Sequence, residues 1–294
     1  MFGAGPRTGL AALLAAALSC SAAAETSEPD VVSIGGSITE IVYALGQEHR
    51  LVARDTTSNY PEAAQALPDV GYVRALSPEG VLSVDPGLVL AEADAGPPEA
   101  LDVLKAAWVP LTLIPDAPTG EGITEKILAV GKALGVQSQA RALAGEVEAK
   151  LARAAARAER VADEDRKRVL FVLSAQGGRL LAAGRGTEAA AVIEMAGAVN
   201  ALKTFEGYKP VGDEAVIAAA PDVILMMTRG GQVMIEYDAL FALPAIAATP
   251  AGRTRAVIRM GGQYLLGFGP RTPEAVHDLA DALYGVEPDD AGNL

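Results

Sequence analysis

A chain of 294 residues, half of them hydrophobic but only 4% aromatic, can fill one large domain or two smaller ones with cores built mainly from Ala, Val, Leu and Ile. A formal net charge of −13 argues against nucleic acid or an anionic membrane surface as the main partner. With one cysteine, Cys20, and two histidines, His49 and His277, there is no basis for a disulfide framework or a histidine-rich zinc centre.

The N-terminus reads as a secretory signal. Arg7 is the lone positive charge, residues 10–18 are apolar, and Ala22, Ala23 and Ala24 supply the small residues before a cleavage point, with Glu25 as the expected mature N-terminus. An alternative is a lipoprotein modified at Cys20, where Leu18-Ser19-Cys20 partly matches a lipobox but Ala17 stands where Leu is usual. An uncleaved anchor would need about 20 apolar residues. Cleavage leaves 23 basic and 37 acidic residues.

Beyond the signal, short β-type runs alternate with helical ones. Residues 31–34 are a strand candidate, and Ser37 and Glu40 have capping-box spacing at the start of a helix ending near Gly46. Strands are expected at 51–53, 88–91 and 109–114, and helices at 98–107 and 121–134. This alternation predicts an α/β unit with a mainly parallel sheet. Residues 139–162 hold no Pro, a single Gly and many strong helix formers. They predict a helix about 37 Å long, suited to a strut between two lobes or to a solvated face of one. The alternation then restarts with strands at 169–173 and 223–227 and a helix at 187–195, and Thr272-Pro273-Glu274 opens a last helix that stops before Gly285.

An internal echo points to two related lobes. Glu79, Val81, Leu82, Pro86 and the apolar run 88–90 recur 135 residues later as Glu214, Val216, Ile217, Pro221 and the run 223–225. Each copy reads as a short capped helix, a proline break and a buried strand.

With these features the chain resembles the substrate-binding proteins of iron-siderophore, cobalamin and haem importers. The resemblance covers nearly the whole mature chain, and its haem-specific part lies in Ala53-Arg54-Asp55-Thr56-Thr57, Tyr60-Pro61 and the run from Pro68-Asp69-Val70 through Gly71-Tyr72-Val73-Arg74 to Ala75-Leu76-Ser77. Met226-Met227-Thr228-Arg229-Gly230-Gly231 and Leu266-Gly267-Phe268-Gly269-Pro270-Arg271-Thr272-Pro273 extend it. It implies two α/β lobes with mainly parallel sheets, joined by one long interlobe helix, with the ligand cleft between them. Residues 1–24 would be the signal, 25–136 the N-terminal lobe, 137–165 the interlobe helix and 166–294 the C-terminal lobe.

The resemblance further implies a periplasmic, monomeric protein that binds ferric haem b and hands it to an inner-membrane ABC permease with its ATPase. Tyr72 would be the axial iron ligand. A free phenol titrates near 10, but ferric iron is a hard Lewis acid that displaces its proton, and tyrosinate is an established haem ligand type. If Tyr72 and Arg74 lie in an extended segment, both side chains share a face and the guanidinium favours phenolate. Arg229, after a strand, would meet a propionate or the phenolate from the other lobe. Glu79 and Glu214 would dock on permease arginines, although a glutamate also simply suits a helix N-terminus. Some relatives offer a histidine after the strand at 169–173, but here Ser174-Ala175-Gln176-Gly177-Gly178 has none, so Tyr72 is expected as the sole protein ligand. The rival readings are the same fold carrying a ferric siderophore or cobalamin, and a periplasmic enzyme such as a chelatase. Against an enzyme, the chain has no Gly-x-Ser-x-Gly elbow and only two distant histidines.

Overall fold

The computed structural model describes Met1 and residues 30–286, apart from 177–178, 230–231 and 234. The expected signal segment and Cys20 lie outside the described residues. Among the described residues no helix is long and apolar enough to cross a membrane.

The first sheet contains β1 (Val31–Ile34), β2 (Leu51–Arg54), β5 (Leu88–Glu92) and β6 (Leu111–Ile114), in the order β2-β1-β5-β6, and every pairing is parallel. All of β1 and β5 is buried, as expected of strands covered on both faces. Helices α1 (Gly36–Ala44), α2 (Pro78–Leu82) and α3 (Pro98–Ala106) lie in the crossovers, α4 (Gly120–Ala133) follows the last strand, and β3 (Gly71–Tyr72) pairs with β4 (Ala75–Leu76) in a small hairpin. Because the chain leaves β1 toward β2 on one side and reaches β5 on the other, β1 is a topological switch point. In open α/β sheets ligands bind at the carboxyl ends of strands beside such a point.

Helix α5 (Gln137–Glu159) has 23 residues and spans about 34 Å. Its first half packs on α4, with Ala140, Ala144 and Val147 buried along one stripe. The contact is close because residue 131 is glycine: a Cβ there would lie 2.1 Å from that of Ala140.

The second sheet contains β7 (Arg168–Gln176), β8 (Arg179–Ala183), β9 (Val199–Asn200), β10 (Tyr208–Val211), β11 (Val223–Arg229), β12 (Gln232–Val233) and β13 (Val257–Gly261). Its centre is parallel, with β7 paired to β9 and β11, and β11 to β13. Antiparallel strands β8, β10 and β12 flank it. Two residues separate β7 from β8, a connection that permits only a hairpin. Helices α6 (Glu188–Met195), α7 (Asp213–Ala219), α8 (Tyr237–Phe241), α9 (Pro244–Ala247), α10 (Pro250–Thr254), α11 (Gly262–Leu266) and α12 (Thr272–Tyr284) complete the lobe. The fold is thus the expected two-lobed α/β architecture.

Sequence reasoning misread two local details. Ser37 is not an N-cap: Gly35 holds that position, Ser37 lies inside α1, and its hydroxyl donates to Glu92 at 2.9 Å. Glu40 does not reach back toward Ser37 but accepts from Arg271. The echoed helices also differ, since Ser77 caps α2 through Gly80 N–H, whereas α7 starts after Gly212 without a side-chain cap.

One apolar core runs through both lobes. Val31, Ile38 and Ile127 from the first belong to the same cluster as Phe171, Leu225, Leu265, Phe268 and Leu279 from the second. Burial of this continuous core opposes wide separation of the lobes.

Candidate functional site

The expected iron ligand stands on a hairpin pinned at the carboxyl edge of the first sheet. Just past β2, Thr56 N–H donates to Gly71 O at 2.9 Å, and Asp69 accepts from Gly71 N–H at 2.9 Å and from the Thr56 hydroxyl at 3.1 Å. Arg54 holds that same Asp69 at 2.8 Å. Past β5, Gly96 N–H donates to Val73 O, and Leu76 N–H donates to Gly96 O. Val73 is buried beneath the turn, which leaves Tyr72 44% exposed above it. Gly71 has φ +108, a conformation that favours glycine, and a Cβ there would meet nothing within 4 Å.

Tyr72 and Arg74 are not in one extended segment. Tyr72 ends β3 opposite Ala75, and Arg74 lies in the turn, so the hairpin rather than strand alternation brings them together. The Arg74 guanidinium lies beside the Tyr72 side chain and pairs with Asp94 at 2.5 Å. Partial burial is the largest single influence and favours the neutral form, but these two partners together outweigh it and hold Arg74 more firmly charged than usual.

Beneath the hairpin lies a buried polar floor at the carboxyl ends of β1, β2 and β5. Asp55 is fully buried and accepts from Gly35 N–H, Thr57 N–H and the hydroxyls of Thr57 and Ser58. Carboxylate oxygens of Glu92, Asp94 and Asp116 lie within 4.8 Å of one another, and the Lys126 ammonium is held in this cluster. Lys126 is fully buried, and its three donors meet Asp116 at 2.5 Å, Ser37 at 3.0 Å and Gly267 O at 3.2 Å. Burial, opposed by Lys126, raises the Glu92 carboxyl to about 7.

The second lobe meets this floor through the segment that follows β13. Gln263 bonds Gly36, Asn59 and Tyr60, and Arg271 bonds Glu40 while stacking on the Tyr60 ring. Gly36 follows β1 and Gln263 follows β13, so the carboxyl edges of the two sheets approach each other here. Arg229, at the end of β11 and exposed, stands on the second of those edges. Gly230 and Gly231, which follow it, and Gly177-Gly178 after β7 lie outside the described residues.

Both histidines sit elsewhere. His49 precedes β2, at the opposite end of the first sheet, and His277 lies on α12, in the groove between α12 and α5. Tyr208 is tied to Glu188 and packs edge-on against Phe171, and Tyr264 is tied to Asp278. Glu79 and Glu214 are exposed in the first turns of α2 and α7. A hydrogen bond from its own backbone amide, then one from the Ser77 hydroxyl at 2.8 Å, keep the Glu79 carboxyl below its usual range.

Sequence reasoning missed Asp94, Glu92, Lys126 and Gln263 and gave Glu40 another role. Each acts through a partner 20 or more residues away, and none stands in a local pattern that announces it.

The family described as periplasmic binding protein matches residues 31–264. Among solved structures, the chain is similar to the periplasmic heme-binding protein BhuT in complex with two hemes, with 44% identity, a TM-score of 0.81, and coverage of 87% of this chain and 97% of that one. It is also similar to the periplasmic heme-binding protein RhuT from Roseiflexus sp. RS-1 in apo form, with 41% identity, a TM-score of 0.82, and coverage of 86% and 97%. A cobalamin-binding protein of Halobacterium salinarum is 27% identical over 269 residues, which are 88% of this chain and 71% of that protein.

Proposed function

The chain belongs to the periplasmic binding protein family, and we propose that within this family it captures ferric haem in the periplasm for an ABC importer. The observation that carries the reading is the Tyr72 hairpin: a half-exposed phenol at the carboxyl edge of the sheet, beside a guanidinium that Asp94 keeps in place. The likeness to two heme-binding proteins above 40% identity, over almost their whole length, supports the choice of cargo.

Haem is cargo here, and the protein's part is to hold and present it. As the Tyr72 oxygen binds ferric iron, its proton leaves to solvent, and Arg74 stabilises the phenolate that results. Arg229 on the facing edge suits a propionate. Glu79 and Glu214, one on each lobe, project as carboxylates for a permease with two-fold symmetry, and its ATPase would then drive uptake of haem b. The protein acts as a monomer after export, and residues 137–165 join lobes 25–136 and 166–294.

Cobalamin is the second reading, motivated by the Halobacterium relative. Titration of the protein with ferric haem, followed by absorption, separates the two. Saturable binding with a phenolate-to-iron charge-transfer band supports the haem reading, and the end point gives one or two haems per chain. Saturable binding of cobalamin with no haem spectrum would replace it.

A further inference from the structure

We infer that Gln263 and Arg271 are positioning residues for the cargo: they clasp the two carboxyl edges together at a fixed separation, and so set how long a haem held between them stays. The inference rests on the haem reading and extends it to residues outside the expected ligand set.

The lobes are joined covalently through α5 and share an apolar core, but neither sets the spacing of the carboxyl edges by directional bonds. The segment from Gln263 to Arg271 supplies those bonds at the edges themselves. The Gln263 amide accepts from Asn59 N–H at 2.8 Å and from Tyr60 N–H at 2.9 Å, and it donates to Gly36 O at 2.8 Å and to Tyr60 O at 3.4 Å. One side chain thus uses both lone pairs and both donor hydrogens on the opposite lobe. Eight residues on, Arg271 gives its backbone N–H and its guanidinium to Glu40, at 3.0 and 2.9 Å, and its guanidinium carbon lies 3.4 Å from the centre of the Tyr60 ring. Between the two, Gly267 O accepts from Lys126, and Phe268 is buried with φ +47, a conformation rare for its residue type.

The approach is close enough to constrain the sequence of the first lobe. A Cβ on Gly36 would lie 2.9 Å from Thr57 O and 3.0 Å from the Gln263 side chain. Glycine at that position leaves room for the Thr57 carbonyl of its own lobe and for the Gln263 side chain of the other. Tyr72 belongs to one edge and Arg229 to the other, so a ligand touching both is held only while the edges keep their spacing.

The test uses the haem-loaded protein and measures transfer of ferric haem to excess apomyoglobin in stopped flow. The unloaded protein is followed in parallel by amide exchange at Asn59 and Tyr60. Gln263→Ala should release haem roughly tenfold faster, the effect of losing one to three ordinary hydrogen bonds. Its charge-transfer band should be unchanged, and both amides should exchange faster. Gln263→Glu keeps the acceptors for those amides but loses the donation to Gly36 O, so amide protection should largely return and release should fall between wild type and Gln263→Ala. Gly36→Ala, a wedge placed from the other lobe, should also speed release. Haem release at the wild-type rate in Gln263→Ala, with or without faster amide exchange, overturns the inference, as does a lost charge-transfer band. A wild-type chain that takes up no ferric haem overturns the cargo reading and this role together, and that result is distinct because it appears before any variant is made.

Discussion

Arg74 stands between Tyr72 and Asp94, pairing with the carboxylate at 2.5 Å while its charge acts on the tyrosine oxygen. The turn of the hairpin places the guanidinium between them, so its charge is shared between two oxygens. Arg74→Ala should therefore weaken ferric haem binding by about tenfold, the scale of one charge-assisted hydrogen bond. Asp94→Asn should act in the opposite direction, tightening binding a few-fold, because the whole guanidinium charge then falls to the phenolate. Haem titrations of both variants check the pair, and equal losses in the two would show that Asp94 serves only to hold Arg74 in place.

Tyr72→Phe keeps the ring and removes the oxygen. Tyr72 is exposed at the end of β3, beside the turn of its hairpin, so the change should alter folding stability by less than about 1 kcal/mol. It should abolish the phenolate-to-iron band and lower haem affinity by at least 100-fold, more than Arg74→Ala, since the donor itself is gone. His49→Ala and His277→Ala should leave the spectrum as it is. A wild-type spectrum in Tyr72→Phe, or a changed one in either histidine variant, would mean another residue binds the iron.

The alternation of strands and helices was legible because such patterns are local: the β-type run at 31–34 and the Pro-free stretch rich in helix formers at 139–162 need no knowledge of the rest of the chain. The echo of Glu79 and Glu214 was legible for the same reason, and both copies do form a short helix followed by a buried strand. The antiparallel strands β8, β10 and β12 were not foreseen, because short hairpin strands carry little pattern. The polar floor was invisible for a different reason. Lys126 looks like any lysine of an amphipathic helix, and only the fold reveals Asp116, Ser37 and Gly267 O around its ammonium. Ser37 and Glu40 have the spacing of a capping box, yet long-range partners at Glu92 and Arg271 take both side chains. The segment at 266–273 was noticed by resemblance, but its contacts with the first lobe came only with the structure.

Glu79 and Glu214 stand at equivalent places on the two lobes, but their surroundings differ. The Ser77 hydroxyl fixes Glu79 at 2.8 Å, and no hydroxyl precedes Glu214, which follows Gly212-Asp213. Changing both to Ala should leave haem binding intact and at least halve stimulation of the transporter ATPase in reconstituted vesicles. Ser77→Ala should cost helix stability on the order of 1 kcal/mol through loss of the N-cap. Full coupling in the double variant would reduce both glutamates to helix-start chemistry.

Stability should depend on pH through Glu92. In the fold burial raises this carboxyl to about 7 from its ordinary 4.5, with Lys126 opposing and Asp116 reinforcing the shift. Between those two values the folded protein holds the proton that the unfolded chain has released. Stability from this group is therefore greatest below about pH 4.5, falls as pH rises toward 7, and is level beyond. Glu40, also raised chiefly by burial, adds a contribution of the same sign. Glu92→Gln keeps the size of the side chain and an acceptor for the Ser37 hydroxyl but cannot titrate. Urea unfolding at pH 5 and pH 7.5 should show a smaller loss of stability in the variant, by on the order of 2 kcal/mol. The Lys126 ammonium, which would still face Asp116, should keep the variant folded at both pH values. Parallel pH dependence in the two proteins would assign the titration to another group, with Glu40→Gln the next variant to measure.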